Sequence, residues 1–327
     1  MKILVTGGAG YIGSFMVKRL LQDSHEVVVL DSLERGHREA VDLRAELQVG
    51  KLSDSAFISE LFSNNSFDAV IHFAAYISMG ESMEHPYMYF ENNTYAALKL
   101  IEEATKANVK KFIFSSTAGV YGNPVKTPIP EGHPKNPENP YGESKLMVES
   151  ILKWYQKVHG LSFVALRYFN ACGAALDGAM GEDHAPESHI IPNAIRAAIN
   201  NKDFSLFGAD YNTPDGTCVR DYVHVLDLVD AHVLALNKLQ SGEGGYYYNV
   251  GTGKGYSNKE VLEMVKKVSG IEFAIKEAPR RPGDADTLVA DNSRIVSELG
   301  FAPKYSNLET IIKTAWEWHK RNLELKV

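Results

Sequence analysis

The segment "TGGAGYIG" at residues 6–13 constrains the fold more than any other part of the chain. It follows the apolar run "KILV" and supplies glycines in two overlapping registers, Gly8-x-Gly10-x-x-Gly13 and Gly7-x-x-Gly10-x-x-Gly13. Glycine is needed here because the turn is tight and because a Cβ atom would keep the backbone away from a pyrophosphate at the helix N-terminus. The segment therefore predicts the strand, turn and helix with which a dinucleotide-binding domain begins.

An acidic residue, Asp31, ends the second apolar run, "EVVVLD". At this distance from the glycine loop a carboxylate can hydrogen-bond the adenosine ribose diol, and it repels the 2′-phosphate of NADP. We therefore expect NAD as the cofactor. Arg35 and Arg38 follow closely and leave NADP open as the alternative.

Short apolar runs alternate with helical stretches through the first half of the chain. The runs "KILV", "EVVVL", "DAVIHFAA", "KKFIFSST" and "LSFVALRYFN" predict buried parallel strands. We predict an α/β fold, namely a Rossmann-like doubly wound parallel sheet with a smaller mixed α/β substrate-binding lobe. The NAD-binding Rossmann domain is expected over residues 1–170 and the substrate-binding lobe mainly over 171–327, with part of the chain near 221–253 returning to the first domain.

Charge and composition narrow the class of protein. The net charge is −7 and no basic stripe is interleaved with aromatic residues, which weighs against binding to nucleic acid or to an anionic membrane. The two cysteines, Cys172 and Cys218, lie in no CxxC pair or histidine-rich cluster, so the sequence predicts no disulfide framework and no metal site. Apolar stretches stay shorter than the roughly 18 residues of a membrane span, and we expect a cytoplasmic protein.

The segment "NPYGESK" places Tyr141 and Lys145 four positions apart, directly after Pro140. Proline is favoured at the first position of a helix, so the two side chains are predicted to lie on one helix face, one turn apart. Such a pair occurs on many helix surfaces without a catalytic role. In a binding site, however, a neighbouring ammonium group lowers the pKa of a phenol from its usual value of about 10 and makes it a usable base.

Hydroxyl side chains end another predicted strand, in "FIFSSTAGVYG". Ser115, Ser116 and Thr117 follow its apolar run, and in an open α/β fold the carboxyl ends of the strands form the edge at which ligands bind. These hydroxyl groups either contact a ligand or cap the end of the strand.

Four motifs in this order, "GGAGYIG", "FSSTAGVYG", "YGESK" and "RYFNACGA", resemble the extended short-chain dehydrogenase/reductase family. With "GEDH", "VRDYVHVLDL", "YNVGTG" and "APRRPGDAD", the resemblance narrows to the UDP-glucose 4-epimerases and covers nearly the whole chain. It implies an isomerase with tightly bound NAD that epimerises C4 of a UDP-hexose, UDP-glucose or UDP-galactose, through a transient 4-keto sugar in galactose metabolism. It also implies a homodimer, because two helices per protomer commonly form the interface in this family.

The resemblance also implies roles for individual residues. Tyr141 takes the proton of the sugar 4-hydroxyl, Thr117 assists the transfer, and Lys145 holds the nicotinamide ribose and tunes Tyr141. Cofactor contacts are implied at Gly7, Gly10, Tyr11, Ile12, Gly13, Asp31, Ser32, Lys51, Leu52, Phe73, Ala74, Ala75, Ile77, Asn92, Ser115, Tyr141, Lys145 and Phe169. Contacts to the UDP-sugar are implied at Thr117, Tyr141, Asn170, His189, Ile190, Ser205, Leu206, Phe207, Arg220, Arg281, Asp284 and Leu288.

The chain departs from the family pattern at three of these positions. Lys51 stands where an aspartate commonly accepts a hydrogen bond from the adenine amino group, and an ammonium group cannot accept one. Ile77 stands where some members carry a lysine near the cofactor. Leu288 stands where a tyrosine excludes N-acetylated sugars and a cysteine or serine admits them, so activity on UDP-N-acetylhexosamines stays open.

Other functions fit parts of the pattern. A 4-epimerase for UDP-N-acetylhexosamines or UDP-pentoses would carry the same motifs. A 4,6-dehydratase needs an Asp and Glu pair just after the strand-end hydroxyl, where this chain has Ala118 and Gly119. A non-catalytic NAD-binding module would be expected to lack the tyrosine, the lysine or the hydroxyl, and all three are present.

Overall fold

The computed structural model describes residues 1–281 and 284–324, and the glycine loop lies at one end of its largest sheet. The strands are β1 Lys2–Thr6, β2 Glu26–Asp31, β3 Glu46–Val49, β4 Ala69–His72, β5 Lys111–Thr117, β6 Ser162–Tyr168, β7 Asn170–Cys172, β8 Phe204–Phe207, β9 Val219–His224, β10 Gly245–Val250, β11 Gly255–Ser257, β12 Ile275–Ala278 and β13 Thr287–Leu288.

Helices connect most of these strands. They are α1 Tyr11–Gln22, α2 Ser55–Ser63, α3 Met79–Glu84, α4 Pro86–Tyr89, α5 Ala96–Lys106, α6 Pro140–His159, α7 Ile190–Ile199, α8 Val225–Ser241, α9 Asn258–Ser269, α10 Ser293–Leu299 and α11 Leu308–Glu324. A π-helical segment, Phe90–Tyr95, joins α4 to α5. Within the described ranges, none of these helices combines the length and the apolar character required to cross a lipid bilayer.

The main sheet has seven parallel strands in the order β10-β6-β5-β4-β1-β2-β3. The chain adds β2 and β3 on one side of β1 and then crosses back to place β4, β5 and β6 on the other. This reversal next to β1 is the topological switch point of a doubly wound fold, at which ligands bind beyond the carboxyl ends of the strands. The predicted Rossmann-like α/β fold is confirmed.

Both faces of this sheet are covered by helices. Ile3 and Val5 of β1 pack into a core with α1 and α8, whereas Leu4 between them packs into a second core with α2, α5 and α6. Successive residues of a strand point to opposite faces, so burial on both sides explains why the strand sequences are continuously apolar.

The second lobe is smaller and mixed. Its strands form one group in which β9 pairs with β7, β11 and β13, and a separate pair of β8 with β12. Helices α7, α9 and α11 pack around a third apolar core. Between these elements the chain returns to the first lobe, where α8 covers one face of the main sheet and β10 pairs with β6 at its edge.

Candidate active site

A cavity of about 530 Å³ lies between the two lobes, at the carboxyl ends of the parallel strands. It is lined by most of the residues that the sequence analysis selected. They are Gly7, Gly10, Tyr11, Ile12, Gly13, Asp31, Ser32, Lys51, Leu52, Phe73, Ala74, Ala75, Ile77, Asn92, Ser115, Thr117, Tyr141, Lys145, Phe169, Asn170, His189, Ile190, Arg220, Asp284 and Leu288.

Four selected residues lie outside this lining. Ser205, Leu206 and Phe207 belong to β8, and the Leu206 side chain is packed in the core of the second lobe, so it is closed to a ligand. The Arg281 guanidinium stacks on the Phe207 ring at 4.1 Å from its centroid. These two side chains therefore meet each other, although neither reaches the cavity wall.

The glycine loop forms a cradle that side chains would fill. Gly7 has φ +72°, and a Cβ there would lie 2.5 Å from the backbone nitrogen of Ala74. A Cβ on Gly13 would lie 2.1 Å from the carbonyl oxygen of Gly7. Gly10 is the N-cap of α1 and provides no side-chain cap, so backbone N–H groups of the first turn remain available to an anion. The loop thus fits the pyrophosphate of a dinucleotide.

Asp31 lies beside this loop with its carboxylate fixed by the backbone. Its Oδ2 accepts from the N–H of Ala9 at 3.0 Å, and its Oδ1 accepts from the N–H of Leu33 at 2.9 Å. The carboxylate is buried yet lines the cavity, and each oxygen has further lone-pair capacity. It can therefore accept from ribose hydroxyl groups.

A second carboxylate lies near Asp31 that the sequence analysis did not select. Glu34 lines the cavity, forms an ion pair with Lys51, and accepts from the phenol of Tyr76 at 3.0 Å. The ion pair lowers the pKa of Glu34. Lys51 cannot accept a hydrogen bond from an adenine amino group, but the carboxylate of Glu34 beside it can. Glu34 is seventeen residues away in sequence, so no local pattern indicates this pairing.

Tyr141 reaches the cavity because α6 begins close to the end of β5. The side chain of Asn139 caps the helix by accepting from the N–H of Gly142 at 2.9 Å. A Cβ on Gly142 would lie 2.6 Å from the carbonyl oxygen of Gly119, so glycine permits the close approach. Burial raises the pKa of the Tyr141 phenol, and a hydrogen bond with Thr117 lowers it in part.

Lys145 lies one turn further along α6 and is almost fully buried. Its Nζ donates to the carbonyl oxygen of Ser115 at 2.8 Å and lies 5.0 Å from the centroid of the Phe114 ring. Burial lowers the pKa of Lys145 to about 7. The sequence analysis expected its ammonium group to lower the pKa of Tyr141, whereas in this structure the amine is bound to the main chain and Thr117 has that effect.

Tyr168, at the end of β6, is a further polar group of this wall that the sequence analysis did not select. Its hydroxyl and the Ser115 hydroxyl form a short hydrogen bond, and both residues line the cavity. Burial raises the pKa of Tyr168, with a smaller opposing effect of Ser115. The motif "RYFN" in which it stands was the available signal.

The opposite wall comes from the second lobe. Arg220 on β9 donates to the carbonyl oxygen of Ala285 at 2.8 Å and pairs with Asp284 at 3.5 Å. Its sequence neighbour Asp221 is fully buried and accepts from the backbone of the loop after β10, so it holds the fold rather than a ligand. Leu288 on β13 lies in register with Arg220.

A cluster of two histidines and two glutamates lies on this side of the cavity, and three of its members, Glu182, His184 and His189, line it. The ligand atoms of Glu182, His184, Glu187 and His189 lie within 4.8 Å of one another. Burial alone would lower the pKa of His184, but Glu182 and Glu187 raise it to about 10. The pKa of His189 is raised by the same carboxylates, and that of Glu182 is lowered by both imidazoles.

This cluster differs from the expectation that the chain has no metal-type group of side chains. The sequence analysis selected His189 alone from it, by resemblance. The signal for the rest was the alternating spacing of Glu and His in "GEDHAPESH", residues 181–189, within a loop that contains no cysteine.

Comparisons with known proteins identify the family to which this chain is similar. Residues 3–251 match the model of the NAD dependent epimerase/dehydratase family. A UDP-glucose 4-epimerase of Streptococcus mutans is 50% identical over 322 residues, which cover 98% of this chain and 97% of that protein. A crystal structure of a UDP-glucose 4-epimerase superimposes with a TM-score of 0.95 at 46% identity, covering 99% of this chain and 98% of that one.

A second solved structure adds its ligands to the comparison. It is a UDP-glucose 4-epimerase from Bifidobacterium longum in complex with NAD+ and UDP, with a TM-score of 0.94, 36% identity, and 99% of each chain covered. The family model covers more than half of this chain, and the sequence match spans nearly all of it. The chain therefore belongs to the NAD dependent epimerase/dehydratase family.

Proposed function

We propose that this protein interconverts UDP-glucose and UDP-galactose by epimerisation at C4, as an isomerase that keeps NAD bound through turnover. One observation carries the proposal: Tyr141, Thr117 and Lys145 converge on the cavity that the glycine loop and Asp31 also line. A cofactor cradle and a proton-transfer group thus share one enclosed space.

Tyr141 accepts the proton of the sugar 4-hydroxyl and later returns it to the 4-keto sugar oxygen. The Thr117 hydroxyl lines the same cavity and lowers the pKa of the phenol, so we infer that it assists this transfer. Bound NAD supplies the acceptor and donor of the hydride at C4. Because the proton and the hydride are both returned, no net oxidation results.

Lys145 prepares Tyr141 for this transfer. A buried amine with a pKa of about 7 is close to half protonated at neutral pH. The protonation of Lys145 therefore changes readily when a charged group binds nearby. When the amine is protonated it stabilises the phenolate, and its bond to the Ser115 carbonyl fixes its position. We infer that the same amine holds the nicotinamide ribose.

The UDP-sugar is held by the opposite wall. Arg220 offers a guanidinium to a diphosphate, and Asp284 can accept from a ribose hydroxyl. Asn170 and His189, which line the cavity, provide polar groups nearer the sugar. The stacked Arg281 and Phe207 form a planar surface next to this wall, suited to a pyrimidine ring.

Dehydration of the sugar is disfavoured by the turn after β5. Ala118 and Gly119 stand in a 3₁₀ turn where a dehydratase needs its acid and base. Epimerisation of UDP-N-acetylhexosamines or UDP-pentoses uses the same proton chemistry and is the second candidate. Leu288, which packs against the small apolar cluster that contains Ala118 and Ile129, is the residue that we propose as the gate.

The decisive experiment is an assay of the purified protein on UDP-glucose without added NAD. Conversion to UDP-galactose with no accumulation of NADH is expected, because the cofactor is regenerated in each cycle. NADH formation in proportion to substrate would instead identify a net dehydrogenase. Parallel assays with UDP-N-acetylglucosamine and a UDP-pentose, repeated on Leu288→Tyr, establish the substrate range; equal losses on all substrates would remove Leu288 as the gate.

We also propose that the protein is a cytoplasmic homodimer. On α6, Met147, Trp154 and Val158 are exposed, and Tyr95 is exposed at the start of α5. Exposed apolar side chains on neighbouring helices are typical of a helix-to-helix interface. Light scattering should give twice the chain mass for the parent protein and the monomer mass for Trp154→Asp; a monomeric parent would refute the proposal.

A further inference from the structure

We propose that Glu182, His184, Glu187 and His189 form a structural zinc site in the loop that precedes α7. Nothing in the proposed epimerisation uses such an ion, so this inference does not depend on that reaction. His189 is also proposed to contact the sugar, and its Nε2 stays available for that when Nδ1 binds zinc. The four residues lie within the nine-residue stretch 181–189, and Glu182, His184 and His189 line the cavity.

The donor atoms have the arrangement of a tetrahedral ligand set. The Nδ1 of His184 lies 3.2 Å from Oε1 of Glu182 and 3.8 Å from Oε1 of Glu187. The Nδ1 of His189 lies 3.7 Å from Oε1 of Glu187 and closer still to Oε1 of Glu182. Zinc bonds of roughly 2.0–2.1 Å to nitrogen and oxygen give ligand-to-ligand edges of about 3.3–3.4 Å in a tetrahedron. Three of these four distances lie within about 0.5 Å of that edge, and zinc would have to widen the contact between His189 and Glu182.

Burial makes this arrangement difficult to explain without an ion or bound protons. The Glu187 side chain is 2% exposed, yet its Oε2 makes no hydrogen bond and lies 4.0 Å from Nη2 of Arg196, too far for one. The Nδ1 of His184 makes no well-directed hydrogen bond either. Buried polar atoms are normally satisfied, so two such atoms in one cluster indicate a missing partner.

The carboxylate of Glu187 is also held in place from behind. Its Oε1 accepts from the N–H groups of Ser188 at 2.8 Å and His189 at 2.9 Å. Ligating carboxylates are commonly oriented by such additional hydrogen bonds. The loop backbone therefore fixes one ligand before any ion binds.

The chemistry of the donors selects zinc over calcium or magnesium. Two imidazole nitrogens and two carboxylate oxygens form a mixed nitrogen and oxygen set, whereas calcium and magnesium take oxygen ligands in larger number. Four protein donors fill a tetrahedral ion completely, so the site would be structural rather than catalytic.

The position of the cluster indicates what the ion would stabilise. The His184 ring packs edge-on against Tyr11, the first residue of α1, with centroids 6.3 Å apart. His189 is the N-cap residue of α7 in the second lobe. An ion at this point would fix the loop between the glycine-loop helix of one lobe and a helix of the other, and with it one wall of the cavity.

The first test measures metal in untagged protein purified without chelator. Mass spectrometry for metals should find about one zinc per chain, and at least tenfold less in His184→Ala and in Glu187→Gln. His159→Ala removes an exposed histidine at the end of α6 and should leave the zinc content unchanged. Equal zinc in the parent and both cluster variants would overturn the proposal.

The second test needs no variant and therefore remains decisive if the variants misfold. EDTA-treated, dialysed parent protein is melted with one equivalent of ZnCl2 or with an excess of MgCl2. Zinc should raise the midpoint by about 5 °C or more, and magnesium should not, because binding to the folded state alone shifts unfolding. Metal-free parent protein with no zinc-dependent shift would mean that the cluster consists of two imidazolium and carboxylate ion pairs.

Discussion

Two groups of ionisable side chains line the same cavity. The pKa shifts in one group favour the neutral forms, and those in the other favour the charged forms. At Tyr141 and Lys145, burial acts without a compensating opposite charge among the described residues, so the pKa of the phenol is raised and that of the amine falls to about 7. At Glu182 and His184, opposite charges lie 3.2 Å apart, so the pKa of the carboxyl is lowered and that of the imidazole rises to about 10.

The difference separates the place where we propose that a proton moves from a place where charge is held. Uncompensated burial favours the neutral forms of both Tyr141 and Lys145, and it leaves the amine able to gain or lose a proton near neutral pH. The paired cluster keeps its charges, or an ion in place of its protons, and so provides rigidity. The predictions below remove one member of each group in turn.

The largest effect is expected for Tyr141→Phe. The substitution removes the proton acceptor and leaves the shape of the wall, so kcat should fall by about 10²–10⁴-fold. The bound NAD content, measured by absorbance after release, should stay the same because the phenol does not hold the cofactor cradle. Turnover near that of the parent would exclude Tyr141 as the proton acceptor.

Lys145→Met should reduce kcat at pH 7 by about 10²-fold, because the phenolate loses its neighbouring charge. The loss should shrink as the pH rises above about 7, because the Lys145 amine of the parent then gives up the proton that stabilises the phenolate. A pH profile of kcat for the parent and the variant makes the comparison. A loss that stays constant across this range would show that Lys145 acts by positioning alone.

Glu182→Gln should lower stability strongly and kcat only slightly. Breaking a buried pair leaves charge uncompensated, so the free energy of unfolding should fall by about 3–5 kcal/mol. We expect kcat, measured well below the new melting temperature, to change less than tenfold, because Glu182 takes no part in the proton transfer. A large fall in kcat with unchanged urea stability would place this cluster in the chemistry instead.

The last prediction concerns the pH dependence of stability at Lys145. The folded pKa is about 7 and an unfolded lysine titrates near 10.4, so between these values the unfolded chain binds a proton that the folded chain does not. Stability of the cofactor-free parent should therefore fall as the pH decreases from about 10 to 7, with a slope of up to roughly 1.4 kcal/mol per pH unit.

Lys145→Met should remove this contribution and be the more stable protein at neutral pH. Urea unfolding of cofactor-free protein at pH 7, 8 and 9 measures it, with Lys153→Met on the exposed face of α6 as the matched control. Parallel curves for parent and Lys145→Met would contradict the depressed pKa.

Sequence periodicity predicted five strands of the main sheet, β1, β2, β4, β5 and β6, and gave no signal for the edge strand β3. β1, β2, β4, β5, β6 and β10 are continuously apolar or nearly so, because helices cover both faces. β3, with the sequence "ELQV", lies at the sheet edge with its residues partly or fully exposed, so it carries no apolar run. Burial is the origin of the signal, and an edge strand lacks it.

Some residues of the candidate site could be predicted from local sequence spacing, and others could not. Tyr141 and Lys145 could be selected because one helical turn relates them, and Asp31 because it ends a strand at a set distance from the glycine loop. The pair of Glu34 with Lys51 depends on how two separate loops approach in the fold, which no local spacing encodes. Residues of the second lobe were selected by resemblance, and their ligand contacts remain predictions.

The return of α8 and β10 to the first lobe has a consequence for how the chain can be divided. Residues 1–170 contain the glycine loop and the proposed catalytic residues, yet a fragment of that length would lose the helix that covers one face of β5 and β6 and the strand that pairs with β6. It would expose an apolar sheet face and an open strand edge, both of which promote aggregation. The first lobe therefore should not be soluble when residues 1–170 are expressed alone. A soluble fragment would have to retain the chain as far as Val250.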